Sequence, residues 1–307
     1  MTIDGNKSIK GKSIQYGSRA FDIANILFLL IFCSIVLFPL LRVIALSISD
    51  PKNINLGLVS FYPMGLNFNA YRLLFTDNEI WVSYKNTILY TAAGTFVSVA
   101  ITALTAYPLS IRNFVLRKPL TWYLTITMFF SGGLIPTYIT IVGLGGINSF
   151  WVMIFPGCLT AYNAFIYRTF FQGIPAEMRE SAFIDGANDL VIFFRIVLPL
   201  STALLATFGL FAAVQYWNLW FKAMLYLQDT SLHPVQMYLR KLLIQVTSND
   251  AVGGDTANIA EMMATQQITA RNIQMTAVVL VMAPIMCVYP FAQKYFVKGV
   301  MIGSIKG

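Results

Sequence analysis

The run Glu180–Pro199, ESAFIDGANDLVIFFRIVLP, is polar and rich in small residues in its first half and apolar in its second. Pro175, just upstream, suits a first helical position, where its missing N–H costs nothing. A short helix is expected from there to about Asp185. Ala182 and Gly186 are four apart and share one face, which lets such a helix sit deep in a partner's groove. Gly186 can adopt the left-handed backbone that ends a helix. Asn188 or Asp189 then caps the next helix, and Leu198-Pro199 bends it. An ordinary amphipathic interfacial helix is the plainer reading, but the spacing through to Pro199 weighs against it. Placed between two long apolar stretches, the segment reads as a lever on which another protein acts.

Outward from this run the chain is mostly apolar. Of its 307 residues 57% are hydrophobic and 11% charged, against roughly 25% charged in soluble chains. Six segments are long and apolar enough to cross a bilayer: about 21–47, 87–109, 120–144, 150–171, 192–221 and 275–296. Backbone groups in lipid must be satisfied internally, so all six are expected as helices, and the fold class is an all-α integral membrane protein. Pro136, Pro156 and Pro284 predict kinks. The first stretch exceeds a signal-peptide core and lacks a small-residue cleavage site, so it is expected to remain as a span.

The net charge of +8 lies beside the spans, which argues for membrane orientation and against nucleic-acid binding. With the N-terminus inside, the short linker Arg112–Lys118 is basic and inner, while Gly143–Ser149 is uncharged and outer. Both termini are then cytoplasmic. The expected layout is a cytoplasmic segment 1–20, a permease domain 21–299 with a coupling helix 175–188 and an outer loop 228–274, and a cytoplasmic tail 300–307. A first outer segment, Asp50–Asn86, contains a candidate surface helix at Asn67–Phe75. The second contains an amphipathic run at Pro234–Val246, a turn at Ser248–Thr256 and a polar helix near Ile259–Gln267.

Catalytic and metal chemistry find little support. Cys33, Cys158 and Cys287 fall inside apolar spans with no ligand spacing. His233 is the single histidine and stands without carboxylate or cysteine neighbours. No G-x-x-x-x-G-K-[ST] loop occurs, so ATP hydrolysis would have to come from a partner. No catalytic residue and no metal site is therefore expected.

The run Glu180–Pro199 resembles the EAA signature of permease subunits of binding-protein-dependent ABC importers, with Ser181 in place of the first Ala. Tyr216-Trp217-Asn218-Leu219-Trp220, and the C-terminal stretch from Gln293 through Gly303-Ser304-Ile305-Lys306-Gly307, resemble the MalG-like sugar branch. The resemblance extends over nearly all of the chain from about Phe21. The outer loop, with His233-Pro234-Val235-Gln236-Met237-Tyr238-Leu239, looks most like the subgroup handling oligo- and polysaccharides, alginate importers among them.

The resemblance implies a type I importer permease in the bacterial cytoplasmic membrane. It pairs with a second homologous permease, a dimer of ABC ATPases, an extracytoplasmic solute-binding protein and a carbohydrate substrate, all within membrane lipid. ATP and Mg sit on the ATPase, and this chain binds no cofactor. Glu180, Ala182, Asp185 and Gly186 map onto the ATPase contact, and Ser304, Ile305, Lys306 and Gly307 onto a tail between the ATPases.

Phe211, Gln215, Asn218 and Lys222 fall on one stripe of span five, with Trp217, Phe221 and Met224 opposite. Polar groups in a span face protein or water. Gln215, Trp217, Asn218 and Lys222, with Asn163 in span four, are therefore candidate substrate-path residues. Helix–helix hydrogen bonding and an interfacial aromatic belt explain the same pattern, and that packing reading is the stronger. The basic residues Lys222, Arg240 and Lys241 near the outer mouth would suit a uronate-bearing sugar, although ordinary solvated charges explain them as well. Two other transport readings remain: an ABC permease for a non-sugar solute, and an ion-coupled secondary transporter. The latter predicts acidic residues mid-span, which are missing here. An intramembrane enzyme would need clustered His, Asp, Glu or Cys at one face.

Overall fold

In a computed structural model of the chain, residues 19–247, 265 and 267–304 are described. Among them every regular element is helical, apart from one isolated bridge between Ser49 and Leu66. The organising element is α4 (Asn78–Ser110). At 33 residues it is about 50 Å long, so it reaches from one end of the molecule to the other. Asp77 starts it by accepting the Glu79 N–H at 2.8 Å.

Around α4 pack α8 (Ala161–Gln172) and α12 (Thr202–Trp217). α1 (Arg19–Ile48) lies against α15 (Ala270–Ser304), which also touches α12. The first half of α1 exposes a continuous apolar surface, including Phe28, Ile31 and Ile35, as a lipid-facing helix does. Its far end is held by a buried polar cluster. Asn272 donates to the Leu46 and Ser47 carbonyls at 2.9 and 3.1 Å, and Thr276 donates to the Ser47 carbonyl at 3.2 Å.

Three of the expected spans run as single helices: α1, the interior of α4, and α15, which carries Pro284 and Pro290. The other three are interrupted, which corrects the expectation of continuous helices. The segment 120–144 divides into α5 (Arg117–Phe129) and α6 (Leu134–Gly143), bent by 117°. The bend is at Gly133, with φ +84°, not at Pro136. Pro136 lies in the first turn of α6, where a missing N–H is harmless.

The segment 150–171 divides into α7 (Phe150–Ile154) and α8, with Pro156 in the gap. The break frees carbonyls that other elements satisfy. Lys222 Nζ donates to the Pro156 carbonyl at 2.6 Å and the Met153 carbonyl at 3.4 Å, and Ser98 Oγ donates to the Cys158 carbonyl at 2.7 Å.

The segment 192–221 begins with α10 (Asp189–Ile192), a π-helical turn over Phe193–Val197 and α11 (Leu198–Leu200). It then bends by 80° at Ser201 into α12. α12 ends at Trp217, and a separate α13 (Phe221–Tyr226) follows.

One end of α4 carries a cap of short elements. These are α2 (Pro51–Asn55), α3 (Asn69–Thr76) and α14 (Val235–Thr247). The apolar faces of α3 and α14 meet α4 and α15 in a core of Ala70, Leu74, Ile80, Tyr238, Leu242 and Ile273, while Ile54 of α2 packs separately with Ala45, Leu46 and Val59. The two candidate loop helices at Asn67–Phe75 and Pro234–Val246 correspond to α3 and α14. The turn at Ser248–Thr256 and nearly all of the helix near Ile259–Gln267 lie outside the described residues.

Candidate functional site

The opposite end of α4 carries α9 (Ala176–Ile184). Pro175 is the residue before this helix, with ψ 133°, one position earlier than expected. Gly186 has φ +83°, the left-handed conformation that closes α9. The Ala187 N–H donates to the Ala182 carbonyl at 2.9 Å and the Gly186 N–H to the Phe183 carbonyl at 3.0 Å. Asn188 is the cap of α10, accepting the Val191 N–H at 2.9 Å.

α9 has two distinct faces. Ala182 and Ala187 pack inward on a core of Ala106, Tyr107, Tyr167, Ile192 and Phe193. Glu180, Asp185 and Gly186 are exposed on the far side. Ala182 therefore joins the lever to its own chain, which revises its assignment as an outward contact. Beside the assigned contacts the structure exposes apolar residues: Met178, Leu190 and above all Ile184, which is 86% exposed. The only hint in the sequence is an apolar side chain in an otherwise polar run. Arg179 Nη2 pairs with Asp189 Oδ1 at 3.2 Å, and the Tyr107 hydroxyl donates to the same oxygen at 3.3 Å. The arrangement is a rigid knob, small, mixed in polarity and tied at its base to α4.

Of the tail residues Ser304, Ile305, Lys306 and Gly307, the first ends α15 and the other three lie outside the described residues.

The stripe drawn along span five divides at the end of α12. Gln215 and Asn218 are exposed on the same side, together with Phe211. Asn218 donates to the Val214 carbonyl at 2.8 Å and accepts from Gln236 Nε2 at 3.0 Å. Trp217 turns inward: its Nε1 donates to the Val281 carbonyl at 3.3 Å and its ring lies 6.4 Å from that of Tyr84. Lys222 caps the broken span four, so helical spacing across the break misplaced it. Asn163 lies in the first turn of α8, its N–H capped by Thr160 Oγ1 at 3.3 Å.

Sequence periodicity missed the pairing of α14 with the end of span five. Arg240 places its guanidinium 4.4 Å from the Trp220 ring centroid. It also contacts Met224 Sδ at 3.0 Å. No carboxylate pairs with Arg240 among the described residues. Trp220, Gln236, Asn218 and Arg240 thus form an amide-, aromatic- and cation-bearing surface at the capped end. The rest of the cap is fastened down. Tyr238 donates to Asp77 Oδ2 at 2.6 Å, Lys241 pairs with Glu79 at 2.7 Å, and Thr87 Oγ1 accepts the Val235 N–H at 2.8 Å. Burial, and then the adjacent Asp77 carboxylate, push the Tyr238 phenol well above its ordinary range. His233 Nε2 lies 3.1 Å from the Leu227 carbonyl, a structural contact in the same loop.

No family model matches the chain. It is 40% identical over 290 residues to the polygalacturonan/rhamnogalacturonan transport system permease protein YtcP of Bacillus subtilis strain 168, covering 94% of this chain and 99% of the relative. The chain belongs to the permease subunits of carbohydrate ABC importers. The permease is also 38% identical over 289 residues to protein LplC of the same organism, covering 94% of this chain and 96% of LplC. Among solved structures, one chain of a bacterial ABC transporter involved in the import of the acidic polysaccharide alginate matches with a TM-score of 0.83 and 31% identity. That match covers 91% of the permease and 97% of the other chain. The permease is thus a multi-pass membrane transport subunit and not itself an enzyme.

Proposed function

We propose that the permease forms half of the translocation pore of an ATP-driven importer for acidic oligosaccharides in the bacterial cytoplasmic membrane. A second homologous permease completes the pore, and an ATPase dimer and an extracytoplasmic binding protein complete the importer. The observation that carries this reading is the near full-length match to a polygalacturonan/rhamnogalacturonan permease. The alginate importer chain points to the same substrate chemistry. Polygalacturonan and alginate are both polymers of uronic acids, so their shared feature is a repeated carboxylate.

The chain crosses the bilayer six times: by α1, α4 and α15 as whole helices, and by 117–143, 150–172 and 189–217 as broken ones. Both termini and α9 face the cytoplasm, and α3 and α14 cap the outer mouth. ATP binding closes the ATPases and moves the knob formed by Glu180, Asp185, Gly186, Met178 and Ile184. Because Ala182 and the Arg179–Asp189 pair join α9 to α4, α8 and α10, that motion passes into the broken spans. Ser304–Gly307 reach between the ATPases.

At the outer mouth Arg240 meets the sugar carboxylate, Trp220 stacks on the C–H face of a ring, and Gln236 and Asn218 bond its hydroxyls. Supporting this are a guanidinium with no carboxylate partner among the described residues and an aromatic ring held beside it by their own contact. Domain limits follow the expected layout, with 1–20 and 300–307 as cytoplasmic ends. No resident cofactor belongs to the permease.

The test is uptake of labelled oligogalacturonate into proteoliposomes holding the permease with its partner subunits and binding protein. Uptake that needs ATP, and exceeds that of a neutral glucan of equal length, is the expected result. Uptake that persists without ATP overturns the importer reading. Equal or better uptake of the neutral glucan overturns the acidic substrate.

A further inference from the structure

At the α9 end of the bundle, four cations converge on one cleft. Arg112, Arg117 and Lys118, in and around the turn between α4 and α5, face Arg168 of α8 across a cavity of about 370 Å³. Phe114, Val115, Thr121 and Trp122 complete the lining, and Arg168 Nη1 lies 3.5 Å from Thr121 Oγ1. Among the described residues none of the four pairs with a carboxylate. The two ion pairs found there are Arg179–Asp189 and Lys241–Glu79. Arg117 and Arg168 are partly buried, so water screens their mutual repulsion less than at an open surface. A cytoplasmic excess of Lys and Arg is expected beside any span. Their convergence on a single concavity is not.

The surroundings of the cleft point to what neutralises it. Trp122, Ile126 and Phe129 form an exposed apolar stripe at i, i+4 and i+7 on α5, climbing from the cleft into the span. A ligand with a compact anionic head and apolar chains fits both features: the head enters the cleft and the chains lie along the stripe. Trp122 stands between them, where amphipathic rings sit at a membrane surface.

We propose that this cleft binds the phosphate of an anionic phospholipid headgroup, with the guanidinium groups of Arg117 and Arg168 as its principal donors. Planar guanidinium groups suit phosphate oxygens through paired N–H donors. Arg112 and Lys118 add charge at the rim. Bound there, the lipid bridges α5 to α8, whose end leads directly into α9. It stiffens the support against which the knob pushes. The proposal rests on the orientation given above, with α9 inward, but lipid binding can be scored separately from transport.

The experiment is native mass spectrometry of the detergent-purified importer complex. Dioleoyl phosphatidylglycerol, dioleoyl phosphatidylcholine and inorganic phosphate are each titrated in. The complex is expected to retain phosphatidylglycerol at least about tenfold more tightly than phosphatidylcholine. The double variant Arg117→Gln/Arg168→Gln should lose that preference, and Arg117→Lys/Arg168→Lys should recover part of it. The exposed-residue variant Arg112→Gln should weaken it about two- to fivefold without risk to folding. Equal retention of the two lipids, or full preference in the glutamine double variant, overturns the proposal. Inorganic phosphate displacing phosphatidylglycerol at equal concentration overturns the lipid assignment in favour of a soluble anion. Loss of the ATPase from the folded Arg112→Gln complex assigns the face to that subunit and likewise overturns it.

Discussion

Arg179 and Asp189 form a 3.2 Å ion pair across the Gly186 turn, which joins the end of one helix to the start of the next. The pair is partly solvated, at 33% and 54% side-chain exposure, so its own worth is at most about 1 kcal/mol. Its value is geometric, because Tyr107 of α4 donates to the same carboxylate oxygen. Asp189→Asn is expected to leave the ATPase associated but to lower the sugar transported per ATP hydrolysed by roughly two- to fivefold. Parallel uptake and phosphate-release measurements on the reconstituted complex give the ratio, and an unchanged ratio would show that the pair transmits nothing.

Gly186 separates backbone strain from partner contact. Nothing lies within 4 Å of a Cβ built there, so in the permease alone a side chain costs only the strain of φ +83°. That strain is about 1–2 kcal/mol for Val and less for Asn, which tolerates the left-handed region. Gly186→Asn should therefore keep near-normal thermal stability in detergent, and Gly186→Val should lose a few degrees. If the ATPase groove closes over this turn, both variants should also lose ATPase in a pull-down, beyond what their stability accounts for. Normal recovery of ATPase by both would move the contact away from Gly186.

Gly94 is required by close packing. A Cβ there would overlap the ring of Tyr216, which is held in place by its hydroxyl donating to the Ile154 carbonyl at 2.8 Å. Gly94→Ala should destabilise the contact of α4 with α12 by about 1–3 kcal/mol. Tyr216→Ala removes the clash, so the double variant should lose less stability than the sum of the two single losses. Thermal unfolding of the single and double variants reads the coupling directly, and additive losses would contradict it.

Tyr238 makes the outer cap sensitive to alkali. Its phenol is held neutral in the folded state by burial and by Asp77, so its folded pKa lies above the unfolded value of about 10. The contribution is complete below about pH 10 and is lost as pH rises from there through the folded value. Protease cleavage within 228–274 should accelerate above that pH in the native permease. Tyr238→Phe removes the step and leaves Asp77 without this donor, so it should be cleaved faster at neutral pH. A Tyr238→Phe profile with the same alkaline step would assign it to another group.

Arg240 should discriminate by substrate charge. Arg240→Gln is expected to raise the KM for oligogalacturonate about fivefold, with little change for a neutral glucan. The native preference should fall with added salt, because Arg240 is only half-buried and its charge is screened. Equal effects on both sugars would mean that Arg240 supports Trp220 structurally.

Much was legible from residues close together in the chain. Six long apolar stretches fix a helical membrane protein, because only helices satisfy their own backbone in lipid at that composition. Gly186 and Asn188 announced a helix end and a helix start, since caps depend on a few adjacent residues. What the sequence did not show was direction after a break. Pro136 marked a kink in this segment, yet the 117° bend falls at Gly133, and its direction depends on which neighbours receive the two halves. Lys222 looked like part of a continuous stripe until α12 ended at Trp217, and it donates instead to the Met153 and Pro156 carbonyls at the break between α7 and α8. Ala182 carries the same motif letter whether it faces outward or inward, and only its packing beside Tyr107 and Phe193 decides. Local patterns set which segments are helical and where they stop, because those depend on short-range hydrogen bonds and propensity. Which face meets Trp220, Arg240 or a cleft of four cations is set by contacts tens of residues apart, and these exist only once the chain has packed.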